Sequence, residues 1–400
     1  VKAATAVTAL LGLAALLVGG DAANADPKQQ TAFVGVGSDT TQDIGNAFAG
    51  FVPLPAAQGG GSNFVPIQSS AATGRVQQIN FDATGSACIT TKPGGTAFLR
   101  PNGSSNGRRA LSRALDGGTW PASTSSCGGV KSTAGLVDFA RSSAGVSPGG
   151  TGPLTYIPFG RDGLSFGYWA EPGVTPVTTL TSAQITSLHN TGPLVIGGVT
   201  VYACEIQNGS GTYATWRDKI GSTDALMDVG TADCSPNPDS SPLTLQENDG
   251  NGLKFAGETL AALPAHASEN VQVIVGFSAA NFIAQTNGVV TSQLPSPAGT
   301  VNLGAIDSLG QPYTGSVSAP PIAPSSTFYA STTYGRDVYN VVSTARIGNP
   351  AGANLDYKTM FVGPSSAVCQ ATTTISNFGF QAPVLNPCGD TSLQGPYIAN

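Results

Sequence analysis

The chain has 400 residues, enough for two or three domains, and at 40% hydrophobic it can fill their cores. Only 10% of its residues are charged, against roughly 25% in an average soluble protein, so Ser, Thr, Asn, Gln and 52 glycines must cover the surface. A net charge of −6 without a basic stripe speaks against nucleic acid and against anionic membranes as partners, and 2 histidines leave little for a histidine-based metal centre or catalytic base.

Residues 1–25 read as a secretory leader. Lys2 gives a short basic start, residues 3–18 are apolar apart from Thr5 and Thr8, and Ala23-Asn24-Ala25 supplies an A-x-A cleavage site before Asp26. The apolar run is short for a membrane span and no cysteine follows it, so export without a lipid anchor is expected.

Beyond the leader, strand-like and helical runs alternate, which places the chain in the α/β class. Thr31–Gly37 reads as a strand and Asp39–Phe51 as a helix with Ile44, Phe48 and Phe51 on one face. Val76–Phe81 alternates like a strand. Ala97–Leu99 is a strand ending in a loop, Pro101–Gly107, and a basic-faced helix follows at Arg108–Leu115. Leu136–Ala140 and Tyr156–Phe159 are short buried strands, and Leu164–Trp169 leads into a second lobe. There, Thr181–Leu188 reads as a capped helix, Val199–Cys204 as a strand, Ser210–Ile220 and Gly250–Leu263 as helices, and Val271–Val275 as a strand. Phe328–Ala330 begins a return segment with a helix at Val338–Arg346. Ser143–Pro153, Asp233–Pro242, Ser316–Ser326 and the Gly59–Ser62 run have the composition of flexible connections.

The cysteines number 6, an even count without a C-x-x-C pair, as suits an exported chain rather than a zinc site. Pairing in sequence order is expected: Cys88–Cys127, Cys204–Cys234 and Cys369–Cys388, each closing a local loop.

Four turns of small residues carry the chemistry. Gly37-Ser38-Asp39-Thr40-Thr41 and Gly103-Ser104-Ser105-Asn106-Gly107 each lie between a strand and a helix. Asp138-Phe139-Ala140-Arg141-Ser142-Ser143 ends a strand, and Gly209-Ser210-Gly211-Thr212 opens a helix. Helix starts expose unpaired backbone N–H groups and a positive dipole end, so an oxyanion can approach them closely. Taken singly, each turn is equally an ordinary helix cap, and Arg141 equally a salt-bridge partner of Asp39 or Asp138.

In this order, the turns GSDTT, GSSNG, VDFARSS and NGSGT resemble the substrate-binding protein of the high-affinity phosphate ABC transporter, in the periplasmic-binding-protein type 2 family. Leu180–Ile185, Glu247-Asn248-Asp249-Gly250 and Val275-Gly276-Phe277 extend the likeness, which runs from residue 33 to residue 345. The resemblance implies an α/β Venus-flytrap with two chain crossings, near residues 160 and 325. Residues 26–160 with 325–400 would form one lobe and 161–324 the other. It implies phosphate held by Asp39, Thr40, Ser104, Ser142, Ser143, Ser210, Gly211 and Thr212, with no metal or cofactor. Ser38, Thr41, Ser105 and Arg141 complete the candidate set from the same turns. An ABC permease would be the partner, and the chain would be a monomer. The family carries an acidic residue where Ser143 stands and an arginine near Ile206 or Gln207, so Asp39 is expected as proton acceptor and Arg141 as the cation.

Two other readings fit the residues. Gly103–Gly107 matches the G-x-S-x-G of a serine hydrolase, with Ser105 as nucleophile and His189 or His266 as base, although both histidines read as surface or loop residues. A secreted structural or interaction protein on the same fold is the other.

Overall fold

The computed structural model describes residues 33–50, 64–70, 76–123, 126–227, 234, 244–349 and 351–399. The leader, the Gly59–Ser62 run and all of the Asp233–Pro242 connection except Cys234 lie outside them.

One mixed sheet of ten strands organises the chain. Strand β1 (Phe33–Gly37), helix α1 (Gln42–Phe48), strand β2 (Gln78–Asn80), helix α2 (Ser104–Asp116) and strand β3 (Phe139–Ser142) come first. Strand β4 (Leu154–Ala170) runs for 17 residues. Helix α3 (Ser182–Thr191), strands β5 (Leu194–Ile196) and β6 (Val199–Ala203), helices α4 (Gly211–Lys219) and α5 (Gly250–Ala261), strand β7 (Val271–Ser278), helix α6 (Ala279–Thr286) and strand β8 (Gly335–Ser343) follow. The spatial order is β5-β6-β7-β4-β8-β3-β1-β2, and two short strands, Asn302–Leu303 and Gln394–Gly395, also pair with β4. β1 runs parallel to β2 and β3, and β6 parallel to β7, across helix-bearing connections. β4 is antiparallel to both β8 and β7.

β4 belongs to two lobes. Its first part, Leu154–Gly163, pairs with β8, and its second part, Leu164–Ala170, pairs with β7. Around the second part lies one apolar core drawn from residues 164–334, including Phe166, Trp216, Val273 and Phe277. Around the first part lie two cores. One joins Phe48, Phe139, Phe159 and Phe361, with Ala280 and Ala284 of α6 reaching across to it, and the other joins Val36, Phe98, Leu111 and Val341.

The crossing is made by the same dipeptide on two strands. Arg161-Asp162 on β4 faces Arg336-Asp337 on β8 in antiparallel register, so each arginine stands opposite an aspartate. Arg161 Nη1 lies 2.7 Å from Asp337 Oδ1, and Arg336 Nη2 lies 2.8 Å from Asp162 Oδ2. Alternation along a strand puts the two pairs on opposite faces. All four side chains are buried. Arg161 also donates to the carbonyls of Tyr329 and Ser331. Asp337 accepts from the Val384 and Leu385 amides, and Asp162 from the Ala280 amide at the start of α6.

Several elements differ from the sequence reading. Val338–Arg346 is no helix: β8 continues to Ser343, and a short helix, Thr344–Gly348, follows. Val338, Val341, Val342 and Ala345 do have helical spacing, but a strand buried on both faces has no period to read. Tyr156–Phe159 and Leu164–Trp169 are one strand for the same reason. The Pro101–Gly107 loop is shorter than expected, because α2 begins at Ser104, and α1 begins at Gln42 rather than Asp39. Ser316–Ser326 is largely an ordered ribbon, Ala319–Pro324 against Tyr313–Ser316, with Ile322 buried and its amide donating to Asn287 of the segment after α6.

The disulfides are Cys88–Cys127, Cys204–Cys234 and Cys369–Cys388, as expected, with Cα separations of 5.5, 4.8 and 5.8 Å. They suit an oxidising compartment. No described helix is long and apolar enough to cross a membrane.

Removing one partner of a buried ion pair strands the other charge. Asp337→Ala should therefore cost about 3–5 kcal/mol in urea unfolding. Asp218→Ala, which removes an exposed partner of Arg217, should cost less than about 1 kcal/mol. Equal costs would contradict a structural role for the crossing pairs.

Candidate ligand site between the lobes

The four small-residue turns meet where the lobes touch. Gly103 has φ of 85°, and a Cβ on it would lie 2.4 Å from the Gly209 carbonyl oxygen of the other lobe. The Ser105 amide donates to that same carbonyl at 3.0 Å. A Cβ on Gly211 would lie 2.4 Å from Ser104 Oγ and 2.5 Å from Ser143 Oγ. Glycine at Gly103 thus lets two backbones approach, and glycine at Gly211 lets a backbone approach the Ser104 and Ser143 hydroxyls. The Ser143 amide donates to Ser104 Oγ at 3.0 Å, and the two hydroxyls lie 3.2 Å apart. Ser210 caps α4, its Oγ accepting from the Thr212 and Tyr213 amides. Ser38, Asp39, Thr40, Thr41, Ser104, Ser142, Ser143, Ser210 and Thr212 are all buried.

At the centre stands Glu247, just before α5 and fully buried. Thr40 Oγ1 donates to its Oε1 at 2.7 Å, Thr212 Oγ1 to the same oxygen at 2.7 Å, and Ser210 Oγ to its Oε2 at 2.9 Å. The hydroxyl oxygens of Thr40 and Thr212 are 3.1 Å apart. Thr40 belongs to the first lobe and the other groups to the second, so the cluster bridges them. Asn281 Nδ2, on α6, adds a bond to the Thr40 carbonyl at 3.0 Å. Arg336 Nη2 lies 3.3 Å from Thr40 Oγ1, which ties the crossing directly to the cluster.

Asp39 lies beside this group and accepts from Gln207 Nε2 at 3.3 Å, while the same amide nitrogen donates to Asn102 Oδ1 at 2.7 Å. Burial, and after it the Glu247 carboxylate, holds the Asp39 carboxyl well above the usual carboxylate range.

Arg141 does not face the cluster. Its guanidinium donates to the carbonyls of Ser38, Gly35 and Phe81 and to Asn80 Oδ1. Burial lowers its pKa to about 10, opposed by Asp82, Asp39 and Asp43, so the group stays charged and its charge is spent inside the first lobe. The buried arginine at the cluster is instead Arg336. Ser142 also turns away, donating to the Ala144 carbonyl at 2.7 Å. Ser38 Oγ, Thr41 Oγ1 and Arg336 Nη1 are buried without a hydrogen-bond partner. A cavity of about 680 Å³ opens alongside, lined by Arg108, Ser143, Lys219, Arg336 and Tyr339 among others.

The hydrolase constellation is not assembled. Ser105 Oγ accepts from Arg108 Nη2 at 3.2 Å. His189 is buried, not at the surface, and Trp216 Nε1 donates to its Nε2 at 3.0 Å. Burial lowers the His189 pKa to about 4, so its ring is neutral. His266 Nδ1 lies 2.9 Å from the Tyr202 hydroxyl and 3.3 Å from Glu269 Oε2.

Sequence reasoning missed Glu247, Gln207, Asn281 and Arg336 as members of the cluster. Scarcity of charge was the available signal: an arginine inside a strand-like run and a glutamate at a strand-to-helix junction both need a reason in this chain.

A carboxyl whose native pKa is raised contributes stability below the ordinary carboxylate range and loses it as pH rises through the raised value. Wild-type protein should therefore lose stability toward high pH more steeply than Asp39→Asn. Urea midpoints between about pH 5 and pH 9 measure this, and parallel profiles would refute it.

No family model matches the chain, and no curated protein does. Among solved structures it is similar to a putative phosphate ABC transporter substrate-binding protein with bound phosphate from Clostridium perfringens, at 11% identity over 88% of this chain and 99% of that one, with a TM-score of 0.44. An ABC-type phosphate transport receptor from Vibrio cholerae matches at 13% identity over 88% and 100%, with a TM-score of 0.42. A human phosphate binding apolipoprotein matches at 11% identity over 88% and 90%, with a TM-score of 0.40.

Proposed function

We propose that this chain is an exported, monomeric solute-binding protein that takes a small oxyanion, phosphate before sulfate, between its lobes for uptake through an ABC permease. Residues 26–160 with 325–400 would form the first lobe and 161–324 the second. One observation carries the reading: hydroxyls from the first and fourth turns, one on each lobe, converge on one buried carboxylate, and the second and third turns meet Gly211 beside it. Ser38, Asp39, Thr40, Thr41, Ser104, Ser143, Ser210, Gly211 and Thr212 would supply the contacts, with Ser105 and Ser142 behind them and Arg336 as the cation. Asp39, whose carboxyl can only accept once it is ionised, favours an anion that brings its own proton. Hydrogen phosphate carries such a proton and sulfate does not.

A second reading has its own support. The chain's own Glu247 takes the hydrogens of the bridging hydroxyls, which fits a secreted protein that no longer transports.

Calorimetry on ligand-stripped protein separates the two. Phosphate should release heat and bind more tightly than sulfate. Thr212→Val should weaken phosphate by about 1.5–3 kcal/mol, as for loss of a hydrogen bond to a charged group. No heat with either anion would leave the non-transport reading ahead.

A further inference from the structure

The hydroxyls of Thr40, Ser210 and Thr212 carry one hydrogen each, and each is donated to Glu247. Ser210 Oγ already accepts from the Thr212 and Tyr213 amides, and Thr40 Oγ1 from Arg336. An anion arriving at this face would meet oxygen lone pairs, not donors. For these hydroxyls to bind it, the carboxylate has to leave. Its backbone need not move: the Ser278 amide donates to the Glu247 carbonyl at 3.1 Å, which pins the segment to the end of β7. Release is therefore a rotation of the side chain.

We propose that Glu247 is a tethered occupant of the anion cradle: its carboxylate stands where a ligand oxyanion would, latches the lobes together through Thr40, and sets the affinity an external anion must exceed. The latch stands on the hydrogen bonds alone, while the identity of the displacing anion rests on the oxyanion reading above. A carboxylate has two oxygens, and the hydroxyls of Ser38 and Thr41 remain buried without partners while it is in place. A tetrahedral anion has four, so it can gain contacts that Glu247 does not make. A small monocarboxylate gains none. Glu247 thus selects for tetrahedral anions over carboxylates of its own kind.

The test compares wild type with Glu247→Ala by small-angle scattering and calorimetry, using inorganic phosphate and acetate as probes. Without ligand, Glu247→Ala should have a larger radius of gyration than wild type, and acetate should close it again by replacing the missing group. Acetate should leave wild type unchanged. Phosphate should bind Glu247→Ala at least about tenfold more tightly, since an affinity masked by a competing state returns when that state is removed. A folded Glu247→Ala with wild-type dimensions and wild-type phosphate affinity would overturn the proposal, and so would one that binds phosphate more weakly. If the alanine variant does not fold, Glu247→Gln carries the same comparison, with the same tightening expected and unchanged affinity overturning it. If no variant binds phosphate but Glu247→Ala opens and acetate closes it, the latch is upheld and the oxyanion reading falls.

Discussion

The reciprocal pairing of Arg161-Asp162 with Arg336-Asp337 is the constraint on which the rest of the structure depends. Where the chain crosses between lobes it can present only two strands, and these must be held in one register. A slip by one residue would place arginine opposite arginine in one direction or aspartate opposite aspartate in the other, and would carry every neighbouring side chain to the other face. Charge specifies the register here more sharply than apolar pattern can, because β4 and β8 are buried on both faces. The same groups reach both lobes: Asp162 accepts from the start of α6, and Arg336 touches Thr40. The position of the first turn over the second lobe is thus fixed from the crossing outward.

Scarcity of charge shapes the site as well. In a chain with 40 charged residues, counting 17 Lys and Arg with 23 Asp and Glu, the lobe interface concentrates Asp39, Asp162, Glu247 and Arg336, all buried, where their mutual interactions are stronger than at a surface. Hydroxyls from Thr40, Ser210 and Thr212 donate to the glutamate, and burial together with that glutamate pushes the neighbouring Asp39 carboxyl upward in pKa. The interface is a polar network around one buried carboxylate, with Ser38 Oγ, Thr41 Oγ1 and Arg336 Nη1 left over beside it.

Much of this was legible in the sequence wherever the signal was local. The Thr181–Gln184 and Ser210 caps rest on neighbours a few residues away, the cysteines pair in sequence order across loops of 19 to 39 residues, and all of these hold. The small-residue turns could be found from their composition and their order pointed to one cleft, while the close approaches at Gly103 and Gly211 emerge only in three dimensions. Side-chain direction could not be found. All four residues of β3 are buried, so nothing in Phe139-Ala140-Arg141-Ser142 tells which face Arg141 takes; its pairing with Gly37 and Asn340 decides that. β8 failed for a related reason, since an uninterrupted buried run fits helix and strand alike. Glu247 was visible as part of a helix start, but its partners lie 35 to 207 residues away, beyond any local pattern.

The disulfides have a mechanical consequence. Cys88–Cys127 and Cys369–Cys388 each lie on the first-lobe side of the crossing and Cys204–Cys234 on the second, so no covalent cross-link spans the interface. Oxidation stiffens each lobe internally and leaves their relative angle to the crossing ribbon. A two-stranded ribbon flexes readily out of its plane and resists shear along its length, because shear would break its whole ladder at once. With no disulfide across it, the angle between the lobes rests on the crossing ribbon and on non-covalent contacts alone, Ala280 and Ala284 of α6 in the first-lobe core among them.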